Sequence, residues 1–197
     1  MIITGNSRSD WRTCARRIMR GGKITSGRLV EVVGLAGDDV PYAFQQMYMI
    51  SLATRCENFF YHASINPRAH ELLTERQWEQ AVGILGRNLG LEDHSRFVVE
   101  RAHDGRVHRQ VVWSRISHAL RTAPDYLSWR VHTETAQQLE ELFGHEPTSR
   151  RRRRKAWAAA KTRDAPEEEA SSEPNTREDM GARPSRTHPD HPLELER

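Results

Sequence analysis

The sequence predicts an α+β fold, an antiparallel sheet with helices packed on it, and three observations predict it. Residues 96–117 (RFVVERAHDGRVHRQVVWSRIS) hold two β-rich arms around Asp104-Gly105, a dipeptide that tolerates the positive φ angles of a two-residue hairpin turn. Other β-rich runs are separated by stretches with helical periodicity. Up to about Pro147 the two patterns alternate, which sets hairpin-joined strands beside strands joined through helices.

Each element has a local reason. Ser9 or Asp10 can cap a helix that runs to about Arg20 and puts Trp11, Cys14, Ala15 and Ile18 on one face. Gly21-Gly22 stops it. Residues 28–33 read as a strand, Asp38 or Asp39 caps a helix to about Arg55, and residues 58–65 read as a second strand that Asn66-Pro67 ends. Thr74 with Gln77 has the spacing of a capping box for a helix to about Leu89. After the hairpin, Asp125 or Ser128 opens a last helix through Phe143, which Gly144 ends.

Composition sets outer limits. A chain of 197 residues with 37% hydrophobic residues can bury one core and not two. A pI of about 9.1 favours a polyanionic partner. Cys14 and Cys56 lie far apart and form no Cys-x-x-Cys spacing, so a reducing cytoplasm is the expected setting. No run has the length of a membrane span and the N-terminus lacks a signal-peptide pattern, so a cytoplasmic protein without membrane insertion is expected. Residues 1–147 read as one domain. Residues 148–197 carry a basic run from Arg150, Arg151 and Arg152 to Lys155, then Glu167 to Glu169, without apolar periodicity, and read as a disordered charged tail.

The hairpin carries the chemistry. On its second arm Arg106, His108, Gln110 and Val112 point one way, and Val107, Arg109, Val111 and Trp113 the other. His108 and Gln110 therefore project side by side. If the arms pair through the turn, Glu100, Arg101 and His103 lie close across from them. Such a polar focus on a sheet can hold a phosphodiester.

Those residues resemble the central motif of MobA/VirD2-like plasmid mobilisation relaxases, a class of the HUH endonucleases. The opening MIITGNSRSDW, the segment NFFYHASINP and the later HxxTAxxLEELFGHEP resemble the same family, and together they cover roughly residues 1–147. In that class a histidine on the first strand is followed, across a polar turn, by a His-x-His pair and an apolar run. The three imidazoles hold one divalent metal. Here the corresponding positions are Arg101, His108 and Gln110, followed by Val111-Val112, so one of the three ligands matches.

The resemblance implies an antiparallel palm and a protein of plasmid mobilisation. It implies binding to single-stranded or origin-of-transfer DNA, contact with other mobilisation proteins, and a divalent metal, Mg or Mn, that assists strand transfer to a tyrosine. His108 is the first metal-ligand candidate, with His103, His62 and Asp104 as substitutes. Gln110 offers only a neutral carbonyl oxygen, and Arg101 carries a charge that repels a cation but can hold a phosphate directly. None of Tyr42, Tyr48, Tyr61 and Tyr126 matches a nucleophile motif, and Tyr61 faces away from His62.

Basic residues add a second line of argument. Arg8, Arg12, Arg16 and Arg20 with Arg17 read as one basic helix face, and the Arg150–Lys155 run as a second source of phosphate contacts. Trp113 and Trp129 are either core residues or base-stacking platforms. Three functions remain open from the sequence: an active nicking transesterase, a DNA-binding relaxase relative without catalysis, and an RNA-binding α+β module.

Overall fold

The computed structural model describes residues 1–20, 27–103, 106–124 and 128–148. Gly21-Gly22, the hairpin turn, Tyr126 and the tail with Arg150, Arg151 and Arg152 lie outside the described residues, as do the side chains of His103 and Ser128. The elements run β1 (Ile2–Arg8), α1 (Trp11–Met19), β2 (Arg28–Val33), α2 (Val40–Ser51), β3 (Phe60–Asn66), α3 (Glu75–Asn88), β4 (Arg96–His103), β5 (Arg106–Ser114) and α4 (Ser128–Phe143). All five strands join one antiparallel sheet in the order β1-β3-β5-β4-β2. The α+β architecture is the one the sequence predicts.

The helices start where side chains satisfy free backbone N–H groups. Asp10 accepts from the Thr13 amide at 3.1 Å, Asp39 caps α2, and Thr74 and Gln77 form the full capping box of α3. Gly144, at φ +69°, closes α4 in the left-handed conformation that glycine reaches without strain. Two boundaries differ from expectation: α2 ends at Ser51, not near Arg55, and β3 spans Phe60–Asn66, not 58–65.

The larger correction is β1. Residues Ile2–Arg8 form an edge strand paired along β3, from Ile2 with Asn66 to Arg8 with Phe60. Gly5 permits this approach, since a Cβ there would lie 2.9 Å from the His62 carbonyl oxygen and 3.0 Å from the Ala63 side chain. Arg8 is consequently the last residue of a strand and no part of the α1 face.

Helices cover both sides of the sheet. Against α3 and α4 pack Ile3, Tyr61, Ala63, Ile65, Val98, Val111 and Trp113, with Trp78, Leu85 and Leu139 from the helices. Against α1 and α2 pack Phe60, Phe97, Val99 and Val112, with Ile18, Phe44 and Met47. Phe44 meets Phe60 and Phe97 edge-on, each at 5.0 Å between ring centres. Trp113 is completely buried and serves the core, whereas Trp129 is exposed. No helix among the described residues is long and apolar enough to cross a membrane.

Candidate nucleic-acid interface

The α1/α2 side of the sheet changes character from one edge to the other. Phe97, Val99 and Val112 are covered, but towards β1 the same face carries Thr4, Asn6, His62, Ser64 and Gln110. Thr4 pairs with Ser64, which pairs with Gln110, so one polar row crosses three adjacent strands. Strand alternation puts His62 and Gln110 on this face and Tyr61 on the other.

Where α1 crosses that polar area it roofs a cavity of about 110 Å³ lined by Arg8, Cys14, Arg17, Ile18, His62, Arg101 and Gln110. Four of the residues singled out from the sequence, Arg8, His62, Arg101 and Gln110, meet here. They come from β1, β3, β5 and β4, so it takes four adjacent strands of the five to assemble them. Cys14, Ile18 and Arg17 arrive from α1, whose apolar face docks through Cys14, Ala15 and Ile18.

Arg101 is 7% exposed and reaches under the end of α1, donating to the Arg17 carbonyl at 3.2 Å and the Arg20 carbonyl at 2.9 Å. A guanidinium at a helix C-terminus satisfies free carbonyls and meets the negative end of the helix dipole. Its Nε is buried without a hydrogen-bond partner, as are Nε2 of His62 and Oε1 of Gln110. Burial lowers the Arg101 pKa, yet a guanidinium stays charged near neutral pH. Arg8 donates its Nε to Asn6 Oδ1 at 3.0 Å.

Burial, aided by the Arg8 guanidinium, pushes the His62 imidazole down to about 4. Burial also pushes the Cys14 thiol up to about 11, against the pull of Arg8 and Arg17. Near neutral pH the imidazole is therefore neutral and the thiol protonated. The Cys14 Sγ lies 3.7 Å from His62 Nδ1. If the protonated thiol donates to Nδ1, the ring proton sits on Nε2; in the other tautomer Nδ1–H donates to the sulfur.

This donor set does not fit a divalent cation. No lining residue is a carboxylate and three are arginines. Among the described residues no group of three or more His, Cys, Asp and Glu side chains is placed to hold a metal. His108 pairs directly with Arg101, whereas His62 pairs with Val112, four residues further along β5. That offset is about 13 Å along the strand, too far for both imidazoles to reach one ion. His103 pairs with Arg106 at the hairpin end, diagonal to His108.

The α1 surface outside the cavity is basic. Arg12, Arg16 and Arg20 are exposed, Arg12 lies over the Trp11 ring at 4.7 Å, and Arg16 and Arg17 stand with Thr13, Met19 and Arg20 around an open depression. Of the tyrosines, Tyr42 is exposed on α2, Tyr48 packs near Trp11 and Phe59, and Tyr61 donates or accepts across 2.7 Å with His132 in the opposite core. None lines the cavity.

Sequence reasoning overlooked Cys14 as a site residue, placed Arg17 only on the basic helix face, and overlooked Arg109. Arg109 is buried on the far face, bound to both carboxylate oxygens of Glu75 at 2.9 and 2.6 Å and to Glu100 at 2.8 Å, over the Trp78 ring. The helical period of α1 was the available signal for Cys14. For Arg109 it was Glu100, directly opposite it across the hairpin.

The motifs quoted at both ends of the chain meet away from the cavity. His132 bonds Tyr61, Thr135 accepts from Asn88 at 2.9 Å, and Glu140 pairs with the Met1 amino group. They hold α4 against β1, β3 and α3. A family model described as "Relaxase: MobA/VirD2-like, nuclease domain" matches residues 18–145, and searches of curated proteins and of solved structures return no match. The matched segment contains His62, Arg101, His108 and Gln110 and covers well over half of the chain, which belongs to the MobA/VirD2-like relaxase family.

Proposed function

We propose that the domain of residues 1–147 is a DNA-binding relaxase relative of plasmid mobilisation, which holds single-stranded, origin-of-transfer DNA through phosphate contacts that need no divalent metal. One observation carries this reading. Arg8, Arg17 and Arg101 surround the His62–Gln110 end of the palm without a carboxylate, and Arg101 and Gln110 occupy two of the positions that resemble metal ligands. An array of fixed positive charge attracts a polyanion and repels a metal ion.

Each participant has a part. Arg12, Arg16 and Arg20 on the exposed side of α1 follow the backbone. Thr4, Asn6, Ser64 and Asn66 supply neutral hydrogen bonds along the open edge of the palm, and His108, opposite Arg101, extends the polar row to the hairpin. Arg150, Arg151 and Arg152 add sequence-independent affinity. Trp129, 69% exposed at the start of α4, is the one tryptophan of the described residues that a base can reach freely. Both cysteines are free thiols, in keeping with a cytoplasmic setting.

Strand cleavage needs a nucleophile and a group that stabilises charge on the phosphate. The arginines can do the second. No tyrosine of the described residues lines the cavity, so binding is the function the geometry supports best. Fluorescence anisotropy with a labelled single strand, its duplex and the matching RNA tests it: the single DNA strand should bind most tightly, with an affinity that falls steeply with salt. Tighter binding of RNA would select the RNA-binding reading instead.

A further inference from the structure

We infer that the cavity beneath α1 is a built oxyanion site: it takes one phosphate group directly on Arg8, Arg17, Arg101 and His62, in the part of the palm where the family resemblance places a cation. This deepens the reading above and rests on it only for the source of the phosphate. The site itself rests on the hydrogen-bond inventory of its walls.

The inventory leans to donors, although Gln110 Oε1 is a buried acceptor without a partner. Arg101 spends its terminal nitrogens on the Arg17 and Arg20 carbonyls, which fixes the guanidinium and leaves the buried Nε–H unpartnered. With the Cys14 thiol donating to Nδ1, the buried Nε2 of His62 is a donor; its neighbour is the Gln110 amide, and no acceptor meets it at hydrogen-bond geometry. Arg8 has one nitrogen on Asn6, and Arg17 makes no side-chain hydrogen bond among the described residues. Buried donors without acceptors are costly, and an acceptor-only guest satisfies them together. A tetrahedral oxyanion is such a guest. Turning the Gln110 amide would replace its unpartnered acceptor, Oε1, by a donor.

Size and charge agree. A water needs on the order of 10–15 Å³ of such space. The cavity's 110 Å³ therefore admits a compact group of a few heavy atoms, and is too small for a nucleobase with its sugar. The charged groups that face His62 are Arg8 from β1 and Arg17 from α1, with the neutral Cys14 of α1 and Gln110 of β5 completing its surroundings. No carboxylate stands on these walls to repel a phosphate.

The test uses the full chain and inorganic phosphate as the probe, with the His62 ring signals followed by NMR. Phosphate should shift those signals saturably, and Mn²⁺ should not give a saturable effect there. Arg8→Gln with Arg17→Gln should raise the phosphate Kd at this signal by about tenfold or more, since two charge-assisted donors are lost while the helix clamp of Arg101 is kept. A His62 signal indifferent to phosphate, an unchanged Kd in the double variant, or saturation by Mn²⁺ alone would overturn the inference. Competition then separates the sources, each consistent with the site: an oligonucleotide that competes only when it bears a 5′-phosphate marks a strand end, equal competition without that phosphate marks a backbone phosphodiester, and no competition marks free phosphate. Anisotropy on the same samples keeps the two readings apart. DNA binding with a silent His62 signal would leave the proposed function standing and remove this site.

Discussion

Arg101 and Arg109 sit on the two strands of one hairpin, on opposite faces of the sheet, and are 7% and 4% exposed. Both are tied down by two neighbours, and there the likeness ends. Arg109 is met by the carboxylates of Glu75 and Glu100; its hydrogen bond holds the Glu75 carboxyl below the usual range, and at Glu100 the hydrogen bonds of Arg28 and then Arg109 do so against burial. Arg101 is met by carbonyl oxygens at the end of α1 and by no carboxylate. Carbonyl dipoles position a guanidinium but do not cancel its charge. The far face thus closes its electrostatics within the fold, while the near face keeps a positive surplus next to unsatisfied donors. A buried charge that the fold does not neutralise is a good marker of where a partner does.

Removing each charge sharpens that contrast. Arg109→Met should be the most disruptive change, because it strips Glu100 and Glu75 of their buried partner. Glu75 is 66% exposed and can turn to water, which holds the expected loss to roughly 3 kcal/mol in denaturant unfolding. DNA affinity should stay within about twofold of the parent once folding is accounted for.

His62 separates the faces by pH. Its folded-state pKa of about 4 lies below the ordinary histidine value of 6.5, so the neutral ring favours the fold. That contribution is fully present above pH 6.5 and is lost as pH falls from 6.5 through 4. At about 1.4 kcal/mol per unit, some 2 kcal/mol should disappear between pH 7 and pH 5. His62→Gln should flatten this limb of the stability profile, and an identical acid limb in parent and variant would show that His62 is not the group responsible. His132, in the opposite core, is also lowered by burial, and its contribution should remain in the variant.

Arg101→Met should cost less, about 1–2 kcal/mol, because it removes two hydrogen bonds to a helix end and deletes an uncompensated charge at the same time. Its signature is the opposite of Arg109→Met: a small change in stability and about a tenfold weaker grip on single-stranded DNA. Equal losses of binding in the two variants would mean that the surplus charge beneath α1 has no special role.

The same contrast marks what the sequence discloses. The hairpin, β2, β3 and the capped helices could be read because strand alternation and capping boxes are local. β1 could not: Thr4, Gly5, Asn6 and Ser7 break any strand pattern, and the segment is a strand because β3 offers it a ladder and Gly5 lets it come close. His62, Arg101 and Gln110 could be nominated as polar residues on strands, and the common face of Arg101 and Gln110 could be inferred from the hairpin. Their convergence with Arg8 and Arg17 could not, since it depends on how α1 docks through Cys14 and Ile18. The burial of Arg109 depends likewise on α3 bringing Glu75 over the sheet. In both cases the missing information is tertiary: which helix covers which end of which strand.

The central claim is that this palm grips a DNA strand by arginines and not through a metal. The most direct measurement is the affinity of the full chain for a single-stranded origin-of-transfer oligonucleotide in EDTA and in Mn²⁺, with the same samples resolved on a denaturing gel to detect a covalent protein–DNA product. The same Kd in both conditions, a strong salt dependence and no covalent product are expected. Binding that requires Mn²⁺, or a Mn²⁺-dependent adduct, would contradict it.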